Sequence, residues 1–333
     1  MLRFVDGFDH YSTPYSSNVG KWQGVHSITG TPGRYDRGRY IIVGTGGLTH
    51  EITGVPVDGI VLGFAVKMAD GQFFRGGFSS DRTILDLYND VTIIASVVVD
   101  PSGTSFTVNG TTINYEIPRG GWWHLQIKLA DTASGVKINN GTTIGVANLT
   151  DTVTSFRIRS MSDANINNWL MDDFYFCDTE GATFNDFLGD VSIRTAYPNI
   201  AGSENDFAPS IGASTPTNRA NMVNRPITDF INVSEYNISG PDNVDDRDLY
   251  VTSYTPQGTL LAIQNNLIVR KDSLDLRTGA HVIRFNGTDY EGPNFNLNTV
   301  WSHASKVITT DPAGGSLEWA DLLNCEFGLK VAT

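Results

Sequence analysis

Apolar positions in this chain come in short runs of four to ten residues, many alternating with polar ones. Val61-Leu62-Gly63-Phe64-Ala65-Val66-Lys67 and Thr92-Ile93-Ile94-Ala95-Ser96-Val97-Val98-Val99 are β-branched, bounded by turn residues and too short for helices, so both predict strands. Asn-Gly pairs between such runs predict tight hairpins, because a type I′ turn needs two positive φ angles. The pairs are Asn109-Gly110, Asn140-Gly141 and Asn286-Gly287. Helical patterning is rare. Residues 316–323 predict one short helix, with Ser316 as its cap and Glu318 at its positive end, and 183–188 predict a shorter one.

These signals predict an all-β chain of two domains: 1–189 as one sandwich and 249–333 as a smaller β-rich sandwich with one short helix. The intervening 190–248 is rich in Pro, Asn, Ser and Asp and predicts a long irregular connection, of the kind that often lies on a neighbouring surface. A length of 333 residues suits two such domains. The 34 glycines follow no collagen period and fit many tight turns. No heptad or tandem repeat supplies a fibre shaft.

The net charge of −13 repels phosphate backbones, and no Lys/Arg stripe offsets it, so nucleic-acid binding is not expected. The longest apolar runs are far below the roughly 20 residues of a membrane helix, and the start Met1–Asp6 has no apolar signal-like region. Membrane insertion and secretion through a leader are therefore not expected. Cys177 and Cys325, distant in sequence, predict buried free thiols.

Catalytic signatures are missing. Glu51, Glu116, Glu291 and Glu326 each stand without a carboxylate partner at glycosidase spacing, the histidines have no metal-ligand spacing, and no nucleophile elbow occurs. The chain is accordingly expected not to be an enzyme and to need no cofactor. Asp6, Asp9 and Asp172 are candidate calcium ligands if the first and last strands of the sandwich pair, since Ca²⁺ takes oxygen ligands. Strand alternation would admit only one of Asp172 and Asp173 to such a cluster. The run Asp242 to Asp248 lacks the Gly and Glu of an EF-hand loop and predicts a solvated acidic turn. Tyr11, Tyr15, Trp22, Tyr35, Tyr40, Trp122 and Trp123 are candidate contacts for a host glycan, with the sandwich core the default place for most of them, and Phe73 and Phe74 are candidate contacts for a neighbouring subunit.

Several pieces in order resemble the concanavalin-A/LamG-like jelly roll of bacteriophage virion proteins. They are Phe4-Val5-Asp6-Gly7-Phe8-Asp9, Gly33-Arg34-Tyr35-Asp36, Ile60–Val66, Trp122-Trp123-His124-Leu125-Gln126-Ile127 with Val136-Lys137-Ile138-Asn139-Asn140-Gly141, and Leu170-Met171-Asp172-Asp173-Phe174-Tyr175-Phe176. Phe187-Leu188-Gly189-Asp190-Val191 is similar to the linker that follows this jelly roll, and 267–272, 287–292 and 317–331 are similar to the domain after it. The resemblance implies a structural protein of the virion, of tail or tail fibre, acting by assembly and host attachment. Implied partners are other phage structural proteins, further copies of the chain, a trimer first, and a host glycan or protein receptor. A capsid decoration or head-fibre protein is the alternative, as is a carbohydrate-binding module or glycosidase on the same fold.

Overall fold

The computed structural model describes residues 1–9, 11, 21–22, 27–36, 39–42, 47–52, 57–68, 81–100, 102–118, 120–159, 169–224, 236–240 and 243–332. Two compact units divide the chain, Met1–Arg194 and Thr195–Thr333.

Unit 1 begins with β1 (Leu2–Asp6), β2 (Ser27–Pro32), β3 (Arg39–Ile42), β4 (Leu48–Glu51) and β5 (Gly59–Met68). Next come β6 (Arg82–Asn89), β7 (Thr92–Val99), β8 (Ser105–Val108) and β9 (Thr111–Asn114). It continues with β10 (Trp122–Ala130), β11 (Gly135–Ile138), β12 (Ile144–Gly145), β13 (Ser155–Ile158) and β14 (Trp169–Asp178). These form two antiparallel sheets: β12-β11-β10-β5-β14-β3-β2 with β1 also on β14, and β4-β13-β6-β7-β8-β9. The first and last strands do pair, as expected, with Phe4 opposite Phe176 and Asp6 opposite Phe174.

Alternation explains what fills the space between the sheets. On β10, Trp123, Leu125, Ile127 and Leu129 are buried in the core. Phe156 of β13 meets Phe174 and Phe176 of β14 at ring-centroid distances of 5.5 and 5.6 Å, so the core is an aromatic layer joining the two sheets. The other face of β10 carries Trp122, His124, Gln126 and Lys128, and this outer face positions the site described below.

In unit 2, β15 (Pro198–Asn205), β16 (Ala208–Pro209), α1 (Pro216–Val223), β17 (Asn237–Ile238) and β18 (Arg247–Thr252) come first. They are followed by β19 (Ile263–Val269), β20 (Thr278–Phe285), β21 (Thr288–Glu291), β22 (Phe295–Asn296), β23 (Ser302–Ile308), α2 (Trp319–Leu322) and β24 (Cys325–Val331). The main sheet runs β15-β18-β24-β20-β21 with β22 on β20, beside the pairs β16-β17 and β19-β23.

The all-β class therefore holds, and several finer expectations need correction. Residues 190–248 are not a bare connection: from Thr195 they supply β15 to β18 and α1 of unit 2. Their strands escaped notice because their apolar positions are few and short. Helix α1 starts at Thr215, whose side chain accepts from the Asn218 N–H, followed by Pro216 at the first turn. The helix expected over 316–323 is a single turn capped by Glu318 and Asp321 in a reciprocal capping box, while Ser316 bridges to Thr310. Residues 183–188 are not helical.

Asn109-Gly110 and Asn286-Gly287 adopt the positive φ pairs of two-residue turns, 44° and 76°, and 50° and 80°. The third hairpin forms with a longer loop. Asn139, at φ 47°, takes the left-handed position, and the strands resume pairing at Val136 and Ile144. Cys177 and Cys325 are both free and buried, and burial pushes each thiol up to about 12.

Candidate functional site

The outer face of the eight-stranded sheet is built on β5, β10 and β14. Across it Trp122 pairs with Lys67, His124 with Ala65 and Gln126 with Gly63, while Asp172 pairs with Ala65 and Tyr175 with Gly63. Between Asp172 and Tyr175 the strand carries two residues where β5 carries one, and Asp173 takes φ 51°. This β-bulge re-aims a side chain that alternation would have sent into the core. Asp172 and Asp173 consequently line the same small pocket, with Asp9, Arg34, Tyr35 and Ser192. The expectation that only one of the two joins the cluster is overturned, and the bulge is the reason.

Arg34 sits at the centre of this cluster. Its backbone N–H donates to Asp172 Oδ2 at 2.8 Å, and its guanidinium lies 3.5 Å from Asp173 and 2.5 Å from Asp190. The guanidinium also covers the Tyr35 ring at 4.6 Å. Asp173 accepts from the Ile193 N–H at 2.7 Å, and its own N–H donates to Asp172 Oδ1 at 2.8 Å. Burial raises the pKa of both carboxyls, and the neighbouring Asp173 charge raises that of Asp172 further. Burial and their mutual repulsion leave the pair inclined to share a proton.

The candidate calcium ligands separate. Asp9 and Asp172 share the pocket, with Asp9 Oδ1 accepting from the Arg39 N–H at 2.7 Å. Asp6 lies elsewhere, buried and accepting from Tyr11 Oη at 2.8 Å, Trp22 Nε1 at 2.9 Å and the Phe8 N–H at 2.9 Å. Its oxygens serve the fold. Among the described residues no group of three or more His, Cys, Asp or Glu side chains is arranged to hold a metal ion.

Of the candidate contact residues, Trp22 is fully buried against Phe4, Phe8 and Phe174 and is a core residue. Tyr35 is 51% exposed, at the rim of the pocket. Phe73 and Phe74 lie outside the described residues. The acidic run that leads into β18 is not wholly solvated: Asp248, within the strand, is buried, with its pKa raised by burial to about 6, and accepts from Asn237 Nδ2 at 3.1 Å.

Three features of the outer face stand beside the pocket: two of the candidate aromatics, the interior His124 whose ring nitrogens lack the expected partners among the described residues, and a covering segment that sequence reasoning missed. Trp122 and Tyr40 are half-buried there, with ring centroids 6.2 Å apart and planes inclined by 59°. His124 is fully buried, its ring stacked on Tyr175 at 6.2 Å. Residues 186–194 lie across the face. Here the Gly189 N–H donates to Gln126 Oε1 at 2.8 Å, the Leu188 N–H to Tyr175 Oη at 3.3 Å, and Lys128 reaches Asp186 at 3.4 Å. The alternation Trp122, His124, Gln126, Lys128 was the available signal for a polar outer face.

No family model and no curated protein matches the chain. Among solved structures it is similar to a Trypanosoma rangeli sialidase in complex with 2,3-difluorosialic acid (12% identity, TM-score 0.32, 48% of this chain and 29% of that one). It is similar also to domain 4 of AbnA, a GH43 extracellular arabinanase from Geobacillus stearothermophilus in complex with arabinotriose (17%, 0.34, 53% and 92%). A third is the endo-β-1,4-glucuronan lyase of the fungus Trichoderma reesei (12%, 0.34, 53% and 95%). The chain thus spans under a third of the sialidase. At such identities the likeness concerns the β-sandwich fold alone. Because the matched structures come from carbohydrate-active enzymes, the expectation of a chain without catalytic activity is withdrawn.

Proposed function

We propose that unit 1 contacts carbohydrate through the Trp122–Tyr40 end of its outer sheet face, on a protein that serves as a structural component of a bacteriophage particle. The observation that carries the first half is the placement of two half-buried rings on the face turned away from the aromatic core. Trp22, Trp123 and Trp169 are spent on that core and fully buried. Trp122 and Tyr40 keep open ring surface, suited to the C–H face of a pyranose, and Lys67 opposite Trp122 offers donors to its hydroxyls.

The second half rests on the ordered sequence pieces that resemble phage virion proteins. A tail or fibre protein repeated by symmetry as a homo-oligomer is the form this reading takes.

A stacked ring contributes about 1 kcal/mol or somewhat more beyond its buried area, close to a tenfold change in affinity. On a glycan array, the Trp122→Ala variant is expected to bind the best ligand of the parent protein roughly tenfold more weakly, with an unchanged thermal melt. Failure of the parent to bind any glycan, or equal binding by the variant, would remove the carbohydrate reading. The virion reading is tested separately by immunogold labelling of particles, where label absent from them counts against it.

A further inference from the structure

The segment 186–194 crosses the outer face without sinking a single side chain into it; every residue from 182 to 197 is half-buried or exposed. Beneath it the sheet is fully buried and polar: His124, Gln126 and Tyr175 have no exposed surface. Three of their atoms are poorly served. His124 Nδ1 and Nε2 and Gln126 Nε2 are buried without a hydrogen-bond partner among the described residues. Each orphaned buried group carries an uncompensated desolvation penalty, which water would relieve on opening.

The contacts described for the segment are polar. They include the Leu188, Gly189 and Ile193 N–H donations to Tyr175, Gln126 and Asp173, the Arg34 donation to the Val191 carbonyl and the Tyr35 Oη donation to Asp190, both at 3.4 Å, the Arg34–Asp190 and Lys128–Asp186 ion pairs, and the Lys137 ammonium 5.1 Å from the Phe187 ring centroid. A cover with no buried apolar anchor, above orphaned polar atoms, belongs to the low-stability end of a structure.

We propose that residues 186–194 form a latch over the outer face of unit 1, released on acidification by protonation of His124. This inference stands apart from the carbohydrate reading. His124 on β10 stacks on Tyr175 of β14, and its backbone N–H donates to Asn139 Oδ1 at 2.8 Å. The charged groups acting on its ring are Asp190 of the latch and Arg34, with Asp173 and Asp172 beyond the guanidinium. Burial lowers the pKa of the covered imidazole to about 4, with Asp190 opposing and Arg34 adding to the effect.

A depressed histidine pKa means that the closed state excludes a proton which the open state accepts. Closure is therefore fully present above about pH 6.5 and weakens as the pH falls toward 4. Asp173 feels the latch through the Ile193 N–H, which lowers its pKa against the rise from burial, while among the described residues no charge or hydrogen bond acting on Asp172 comes from residues 186–194; His124 and Asp173 are therefore the two acid-responsive groups that the latch touches. A histidine variant separates the two.

The test is hydrogen exchange of the Leu188, Gly189 and Ile193 amides in the full chain, corrected for the intrinsic rate, at pH 7.5 and 5.0. From the His124 shift alone, opening is expected to rise by up to about 30-fold between these values. His124→Phe keeps the stack on Tyr175 and removes both nitrogens; it is expected to protect the three amides more strongly and to lose the acid-dependent opening. His124→Gln, a neutral second variant, is expected to lose most of the acid-dependent opening as well. Equal corrected exchange at both pH values in the parent, or an undiminished acid response in either folded variant, would overturn the latch.

Discussion

Replacing Asp6 by alanine is expected to destabilise unit 1 by about 3–5 kcal/mol, the loss typical of breaking a buried charged network from one side. The carboxylate accepts from Trp22 Nε1, Tyr11 Oη and the Phe8 N–H, all buried. Lys21 Nζ stands 3.9 Å away and also donates to the Val5 carbonyl at 3.0 Å. Burial already lowers the Lys21 pKa, and Asp6 is the charge that opposes this shift. The alanine variant would leave an indole, a phenol and an ammonium group facing a void. Asp6→Asn keeps the volume and one acceptor and is expected to lose less. Adding Lys21→Met to Asp6→Asn should recover part of the loss, because the uncompensated charge leaves with the lysine. Urea unfolding followed by tryptophan fluorescence measures all three; a loss below about 1 kcal/mol for Asp6→Ala would contradict the assigned role.

The second large effect belongs to unit 2. Gly328 lies on the central strand β24, paired with Leu249 on one side and Val282 on the other. A Cβ built there would stand 1.9 Å from the Asp248 carbonyl oxygen and 2.9 Å from its carbon. Those atoms belong to a neighbouring strand's backbone, so no side-chain rotation can relieve the overlap. The β18–β24 pairing would have to shift, disturbing the buried Asp248 and the Asn265 Nδ2 donation to the Gly328 carbonyl at 3.2 Å. Gly328→Ala is expected to cost about 3 kcal/mol, the upper part of the overpacking range. Gly287→Ala offers a contrast in the same unit: its Cβ meets nothing within 4 Å, and the cost is the φ of +80° alone, about 1 kcal/mol. Chemical denaturation of the two variants should rank them in that order. A Gly328→Ala protein as stable as the parent would show that the two strands are not packed this closely.

The hydrophobic pattern and turn chemistry determined the class of this protein. Period-two burial on β10 and positive φ at Asn109-Gly110 and Asn286-Gly287 are local, so they can be read from a few residues at a time. Elsewhere local reading reached its limit. Sequence alternation assigned Asp172 and Asp173 to opposite faces, but the tertiary register inserted an extra residue opposite β5 and brought both to one pocket. A bulge depends on the partner strand, which a single strand's sequence does not contain.

The same holds for residues 190–248, whose polar strands β15 and β18 gain order from their neighbours rather than from their own periodicity. Trp22, one of the candidate contacts, is a core ring whose indole N–H meets Asp6 in the interior. The sequence by itself determined a β-sandwich with hairpins at named turns, because those signals lie within a strand or a turn. Only the tertiary structure decided which aromatics face outward, which carboxyls meet, and that 186–194 covers the outer face, because each depends on residues far apart in the chain coming into contact.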